Sequence, residues 1–175
     1  MSQPTPAPPG RLAVTLPMLT LVPGGMGGSE TYVRALTREL PRYSDLDVTV
    51  LLPASAAGFS DKEGEVVMPQ LRSDGSTKAR VATLVRSASP WFRGRRHLAR
   101  ADVVHYPLTV PVPMRRRHTR WVQTVHDVQH RDLPGLFSLQ ERGYRRVAYD
   151  MPARRADVVI TMSQFCKERL VARLG

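Results

Sequence analysis

The amino-acid sequence predicts an α/β domain whose parallel sheet is covered by helices on both faces. Three observations predict it. Short apolar runs alternate with stretches of helical periodicity along the chain. The runs are nearly all apolar instead of alternating, as strands buried on both faces are. The first run leads through a glycine cluster into a helix, a join suited to unusual backbone angles and close approach by a ligand. The 175 residues suffice for one domain with a core and are too few for two ordinary ones.

Taken in order, residues 1–10 (MSQPTPAPPG) contain four prolines and read as a flexible tail, so the domain is expected over residues 11–175. Leu12–Leu16 is the first strand. Gly24–Gly28 (GGMGG) is the loop after it. Ser29–Leu40 follows as a helix with Tyr32, Val33, Leu36 and Leu40 on one face, and Pro41 marks its end. Asp47–Leu52 (DVTVLL) is a β-branched second strand stopped by Pro53. Glu65–Met68 reads as a short strand, and Lys78–Ser89 as a helix through Val81, Leu84 and Val85, closed by Pro90. Trp91–Arg100 reads as a second helical piece. Asp102–Tyr106 and Arg120–Val125 are strands. Leu139–Ala156 reads as one long helix that Pro152 bends or restarts. Asp157–Met162 is the last strand, and Ser163 caps a final helix ending near Gly175.

Composition narrows the function classes. Hydrophobic residues at 42% and charged ones at 23% are the balance of a globular chain, not a disordered one. The single cysteine, Cys166, can build neither a disulfide framework nor a zinc knuckle. No run approaches the roughly 20 apolar residues of a spanning helix. Leu12–Val22 imitates a signal peptide behind Arg11, but Pro17 interrupts it and no small-residue cleavage pattern follows. The chain therefore reads as cytoplasmic.

Charge is unevenly spread. The net charge is +11, with −2 in residues 1–75 and +13 in residues 76–175, and 23 of the 26 basic residues are arginine. The arginines gather at Arg93/Arg95/Arg96, Arg115–Arg117, Arg142/Arg145/Arg146 and Arg154/Arg155. A nucleic-acid surface wants interleaved aromatics or a reading helix, and aromatics are only 6%. An anionic membrane surface or a charged partner fits better, and a non-catalytic basic module binding one of them is the alternative function. A solvated surface biased toward arginine is the plain alternative.

Three places carry candidate chemistry. A glycine loop between strand and helix presents N–H groups and the positive helix end to an anion such as a phosphate. The dinucleotide fingerprint is not met, because Gly25 and Gly27 would need glycine where Glu30 stands, and no G-K-[ST] follows. His126-Asp-Val-Gln-His130 imitates a zinc-helix motif but directly follows a strand and runs into Leu133-Pro-Gly135, so no metal is expected there. At the carboxyl end of a parallel strand, His126 and Asp127 face the ligand crevice instead, where a histidine can bond a sugar hydroxyl or carry a proton, or simply be a satisfied surface histidine. Ser163 stands at the same edge, as an N-cap or a crevice residue.

Together these segments resemble one family. GGMGGSETYVRALTREL at 24–40 is similar to the glycine loop and first helix of family 4 glycosyltransferases. TVHDVQHRDLPGLFSLQERGYRRVAYDMPARRADVVITMSQFCKERLV at 124–171 resembles the second half of that family's N-terminal domain, with its His-Asp loop, arginine-rich helix and A-D-x-V-I-x-x-S-x-F run. The resemblance implies a Rossmann-like sheet forming the N-terminal half of a GT-B architecture. It implies transfer of a sugar from a nucleotide-sugar to a sugar or lipid acceptor with retention, without metal or other cofactor. Gly24, Gly25, Gly27 and Gly28 would bring N–H groups to the donor diphosphate. His126 would contact the donor sugar, Asp127 would shape its loop, and Ser163 would lie at the cleft edge. The donor-binding C-terminal domain of the family has no counterpart before Gly175, so the chain is expected to be inactive without it, whether supplied in cis or as a partner chain.

Overall fold

The computed structural model describes residues 10–60, 64–113 and 119–175. The proline-rich tail, apart from Gly10, and the Arg115–Arg117 cluster lie outside the described residues. Six strands form one sheet: β1 (Leu12–Pro17), β2 (Leu46–Pro53), β3 (Glu65–Met68), β4 (Val103–Tyr106), β5 (Arg120–Val125) and β6 (Val158–Thr161). Their order is β3-β2-β1-β4-β5-β6, and every neighbouring pair is parallel. Val14 is the pivot of the register, opposite Val48 on one side and Val103 on the other.

Helix α1 (Gly28–Glu39) covers one face. Its Val33 is fully buried against Val14, Leu16, Val48, Val50 and Leu52, with Tyr32, Leu36 and Leu40 packed alongside, the face the 3.6-residue spacing marks. Pro41 does not end the chain's turning but sits in a 3-10 turn, Leu40–Arg42. The opposite face holds Leu51, Val104, Tyr106 and Trp121 under Phe92 and Leu98, the latter from α3 (Gly94–Arg100). Each such side chain withdrawn from water stabilises the fold by about 1.5–3 kcal/mol. A smaller cluster, Val125, Val128, Ala153 and Leu174, seats α7 (Gln164–Leu174) beyond β5.

Two helices depart from expectation. Helix α2 (Thr77–Ala88) is where the periodicity places it, but the marked residues are not the buried ones. Val81, Leu84 and Val85 are exposed, and Thr83 and Ser87 are buried. The predicted long helix over 139–156 is three pieces. After α4 (Gln129–Asp132), α5 (Leu139–Arg145) opens on a capping box between Ser138 and Glu141. A π-turn follows over Arg146–Asp150, and α6 (Met151–Ala153) resumes the helix. Pro152 has no N–H to return to the preceding turn, and that turn is the one that widens. The widened turn carries Asp150 inward, where its side chain is only 4% exposed and accepts from His130 Nε2 at 2.8 Å and Arg131 Nε at 2.7 Å.

Candidate functional site at the carboxyl edge of the sheet

Strand order reverses between β1 and β4, so the connections leaving their carboxyl ends diverge and a crevice opens between them. A cleft of about 240 Å³ lies at this edge, lined among others by Thr20, Met26, Asp74, Arg80, Tyr144 and Tyr149. Tyr144 and Tyr149 meet edge to face with ring centroids 6.2 Å apart. Gln123, fully buried on β5, ties the rim together by donating from Nε2 to Thr109 O at 2.7 Å and Tyr149 O at 3.5 Å.

Gly25 and Met26 of the glycine loop line this cleft, whereas Gly24 and Gly27 face a separate hollow beside Glu30 and Arg34. Gly24 and Gly27 have φ of 76° and 54°, conformations that a side chain resists. Gly27 occupies the N-cap of α1 with no side-chain cap. The four glycines are not equivalent. Gly24 N donates to Glu30 Oε2 at 2.7 Å, and Gly25 N to Val22 O at 3.0 Å, so both donors are satisfied within the loop. Glu30 is itself paired with Arg34 at 3.0 Å. Its carboxyl is held below the usual range first by that arginine and then by the N–H groups of Gly24 and Met26. The N–H groups of Gly27, Gly28 and Ser29 have no acceptor among the described residues, as the geometry of a helix start requires. Those three are the donors open to an incoming anion.

His126 lies one residue past β5 and is half-buried. Its Nε2 is 2.9 Å from Pro107 O. A carbonyl only accepts, so Nε2 carries a proton, and in the tautomer with that single proton Nδ1 is an acceptor. The Tyr32 ring meets the imidazole edge to face, with centroids 5.5 Å apart and planes at 80°. Tyr32 is four residues beyond Gly28, so this contact joins the histidine to the first turns of α1. The Tyr32 hydroxyl lies 3.1 Å from Thr124 Oγ1, which lies 2.8 Å from His105 Nε2.

Asp127 accepts from Gln129 N at 3.1 Å, closing the turn that follows His126, and stands 3.9 Å from Arg145. The Arg145 guanidinium lies over Phe137 and Tyr149, 4.5 and 5.3 Å from the ring centroids. Ser163 is exposed at the end of β6, and its hydroxyl caps α7 by accepting from Cys166 N at 3.1 Å. Cys166 is buried, with its thiol against Val125 O and His126 O at 3.8 and 3.7 Å. Burial, with Asp127 and Asp132 nearby, pushes that thiol's pKa up.

The two histidines of the His126–His130 segment have separate partners, Pro107 O and the Asp150 carboxylate. Among the described residues no group of three or more His, Cys, Asp or Glu gathers as metal ligands do. The structure adds Arg80, Tyr144 and Tyr149 to the crevice, and Tyr32 to the surroundings of His126. In the sequence Tyr32 reads only as one more residue on the packed face of α1. The two other tyrosines carry no signal beyond a place in the arginine-rich helix.

An open parallel sheet in this order, with its crevice at the reversal, is a Rossmann-like domain, a class whose ligands enter there. Within that class the assignment is narrower. Residues 26–175 match the family model described as Glycosyltransferase Family 4, and the chain belongs to that family as an N-terminal domain, one half of a GT-B architecture. No curated protein and no solved structure matches the chain significantly.

Proposed function

We propose that this chain is the acceptor-side half of a retaining, metal-independent glycosyltransferase that moves a sugar from a nucleotide-sugar to a sugar or lipid acceptor in the cytoplasm. The observation that carries the reading is the Tyr32–His126 contact, which joins the histidine to α1, the helix whose first N–H groups are unpaired. Departure of a nucleoside diphosphate builds negative charge on the leaving oxygens. Gly27, Gly28 and Ser29 offer preorganised donors to that charge at the positive end of α1. His126, its Nε2–H held by Pro107, accepts from a sugar hydroxyl at Nδ1 and orients the ring instead of abstracting a proton. Asp127 shapes the His126 turn, and Ser163 stands at the margin of the crevice. The family resemblance supplies the rest of the reading: retention, independence of metal, and a second domain, in cis or as a partner chain, that holds most of the nucleotide.

The experiment is an amide NMR titration of this chain with a nucleoside diphosphate, paired with turnover assays. The expected result is movement of the Gly27, Gly28 and Ser29 amides, with Gly24, tied to Glu30, moving least. No nucleotide-sugar is turned over by the chain alone. In the complete enzyme, His126→Ala lowers turnover about 100-fold or more while circular dichroism shows the fold intact. Turnover by the isolated chain overturns the two-domain part of the proposal. Near-full activity of His126→Ala overturns the role of the histidine.

A further inference from the structure

Helix α2 faces the wrong way for a helix whose only business is to cover a sheet. Its interior side is small and polar, with Thr83 and Ser87 each 2% exposed, and its outer side carries Val81 at 52% and Val85 at 67%. Lys78 and Arg86 flank these valines around a shallow depression. Three residues past the helix end, Trp91 is 89% exposed, and its neighbour Phe92 is anchored in the core at 5%. From Gly75 to Ala101 the sequence holds seven basic residues and no acidic one. Arg95 and Arg86 are occupied internally: Arg95 caps the end of α2 through the carbonyls of Ser87, Ala88 and Ser89, and Arg86 donates to Gln70 O at 3.1 Å. Lys78, Arg93 and Arg96 are exposed.

We propose that the outer side of α2, Val81 and Val85 beside Lys78, together with the exposed Trp91, Arg93 and Arg96 that follow the helix in the chain, docks on an anionic lipid surface. The charge selects the occupant. A second copy would bring the same cationic patch against itself, since a two-fold interface is self-complementary. Headgroup phosphates neutralise these cations, while valine and indole side chains fill the boundary between headgroups and acyl chains, where tryptophan is favoured. Among the described residues no helix is long and apolar enough to cross a membrane, so α2 lies in the interface plane. The inference is independent of the sugar-transfer reading.

The test uses the purified chain with phosphatidylcholine vesicles, with and without an equal part of phosphatidylglycerol. Trp121 is 4% exposed and already in an apolar setting, so a blue shift of tryptophan emission reports Trp91. The expected result is co-sedimentation and a blue shift with the anionic vesicles only. The surface variant Val81→Ser/Val85→Ser, with unchanged circular dichroism, loses both. Each of Lys78→Ala, Arg93→Ala and Arg96→Ala weakens binding about fivefold. Equal binding to neutral vesicles overturns the proposal, as does binding untouched by the valine variant. Binding without a Trp91 shift shows a merely cationic surface and overturns it too. So does a dimer broken by Val85→Ser in a chain that ignores vesicles.

Discussion

His105 on β4 makes the fold sensitive to acid, and the size of the effect follows from its surroundings. The residue is 6% exposed, and burial holds its imidazole down to about 4. Desolvation disfavours the charged form, and the histidine of an unfolded chain titrates near 6.5. The folded state therefore takes up this proton less readily than the unfolded one. The stabilisation is complete above the unfolded value and drains away as pH falls from about 6.5 toward about 4. At about 1.4 kcal/mol for each unit, the loss reaches about 3 kcal/mol, a large share of the roughly 5–15 kcal/mol that holds an ordinary domain together. The perturbation is His105→Gln, which removes the titration and keeps a polar partner for Thr124. Urea unfolding of both proteins at about pH 7.5 and about pH 4.5 measures it. The wild type should lose about 3 kcal/mol more than the variant between the two conditions. His97, also depressed chiefly by burial, is present in both proteins and cancels in the difference. Parallel losses in the two proteins would refute the assignment of the acid sensitivity to this side chain.

Gly27→Ala should cost about 1–3 kcal/mol, because a Cβ is strained at φ 54°, although it would meet no neighbour within 4 Å. Gly28→Ala, next along and already helical with equally open space, should be neutral or slightly stabilising. Thermal melts of the pair separate backbone strain from steric contact. A second acid effect lies lower on the pH scale. Asp132 is held down to about 2, first by its hydrogen bond from Arg169 and then by Arg173, so α7 is clamped to the segment after β5. Its contribution is present above the ordinary aspartate value and lost as pH falls through about 2. Asp132→Asn should lower the melting temperature near neutrality and converge on the wild type in strong acid.

The strands were legible because their signal is local. Glu65–Met68 and Arg120–Val125 stand where their residues place them, since a short apolar run between turn residues has few other uses in an α/β chain. The positions of His126 and Asp127 followed from the same logic. What stayed hidden depends on which partner a side chain meets. Periodicity marks the apolar stripe of α2 but cannot say that the sheet receives Thr83 and Ser87 instead. Four glycines in five residues look interchangeable until Glu30 folds back and occupies Gly24. His130 sits in the same five-residue segment as His126 and is drawn away by Asp150, whose inward position depends on the π-turn before Pro152, a proline that marks a bend without saying which side chain turns inward. Tyr32 looked like core and is also the contact that connects helix to histidine.

The single reversal in strand order turns a property of the sequence into one of orientation. The chain builds the β2–β3 flank from its near-neutral first part, and its cationic remainder supplies the β3–β4 connection and the β4–β6 flank. Net charge alone would leave the molecule indifferent to how it meets a polyanion. A lateral separation of charge instead gives it an electric dipole lying across the strands. Such a molecule is turned by torque as well as drawn by attraction, and at physiological salt that torque acts only over about the last 8 Å of approach. Close to a polyanion, that torque favours an approach with the second half leading.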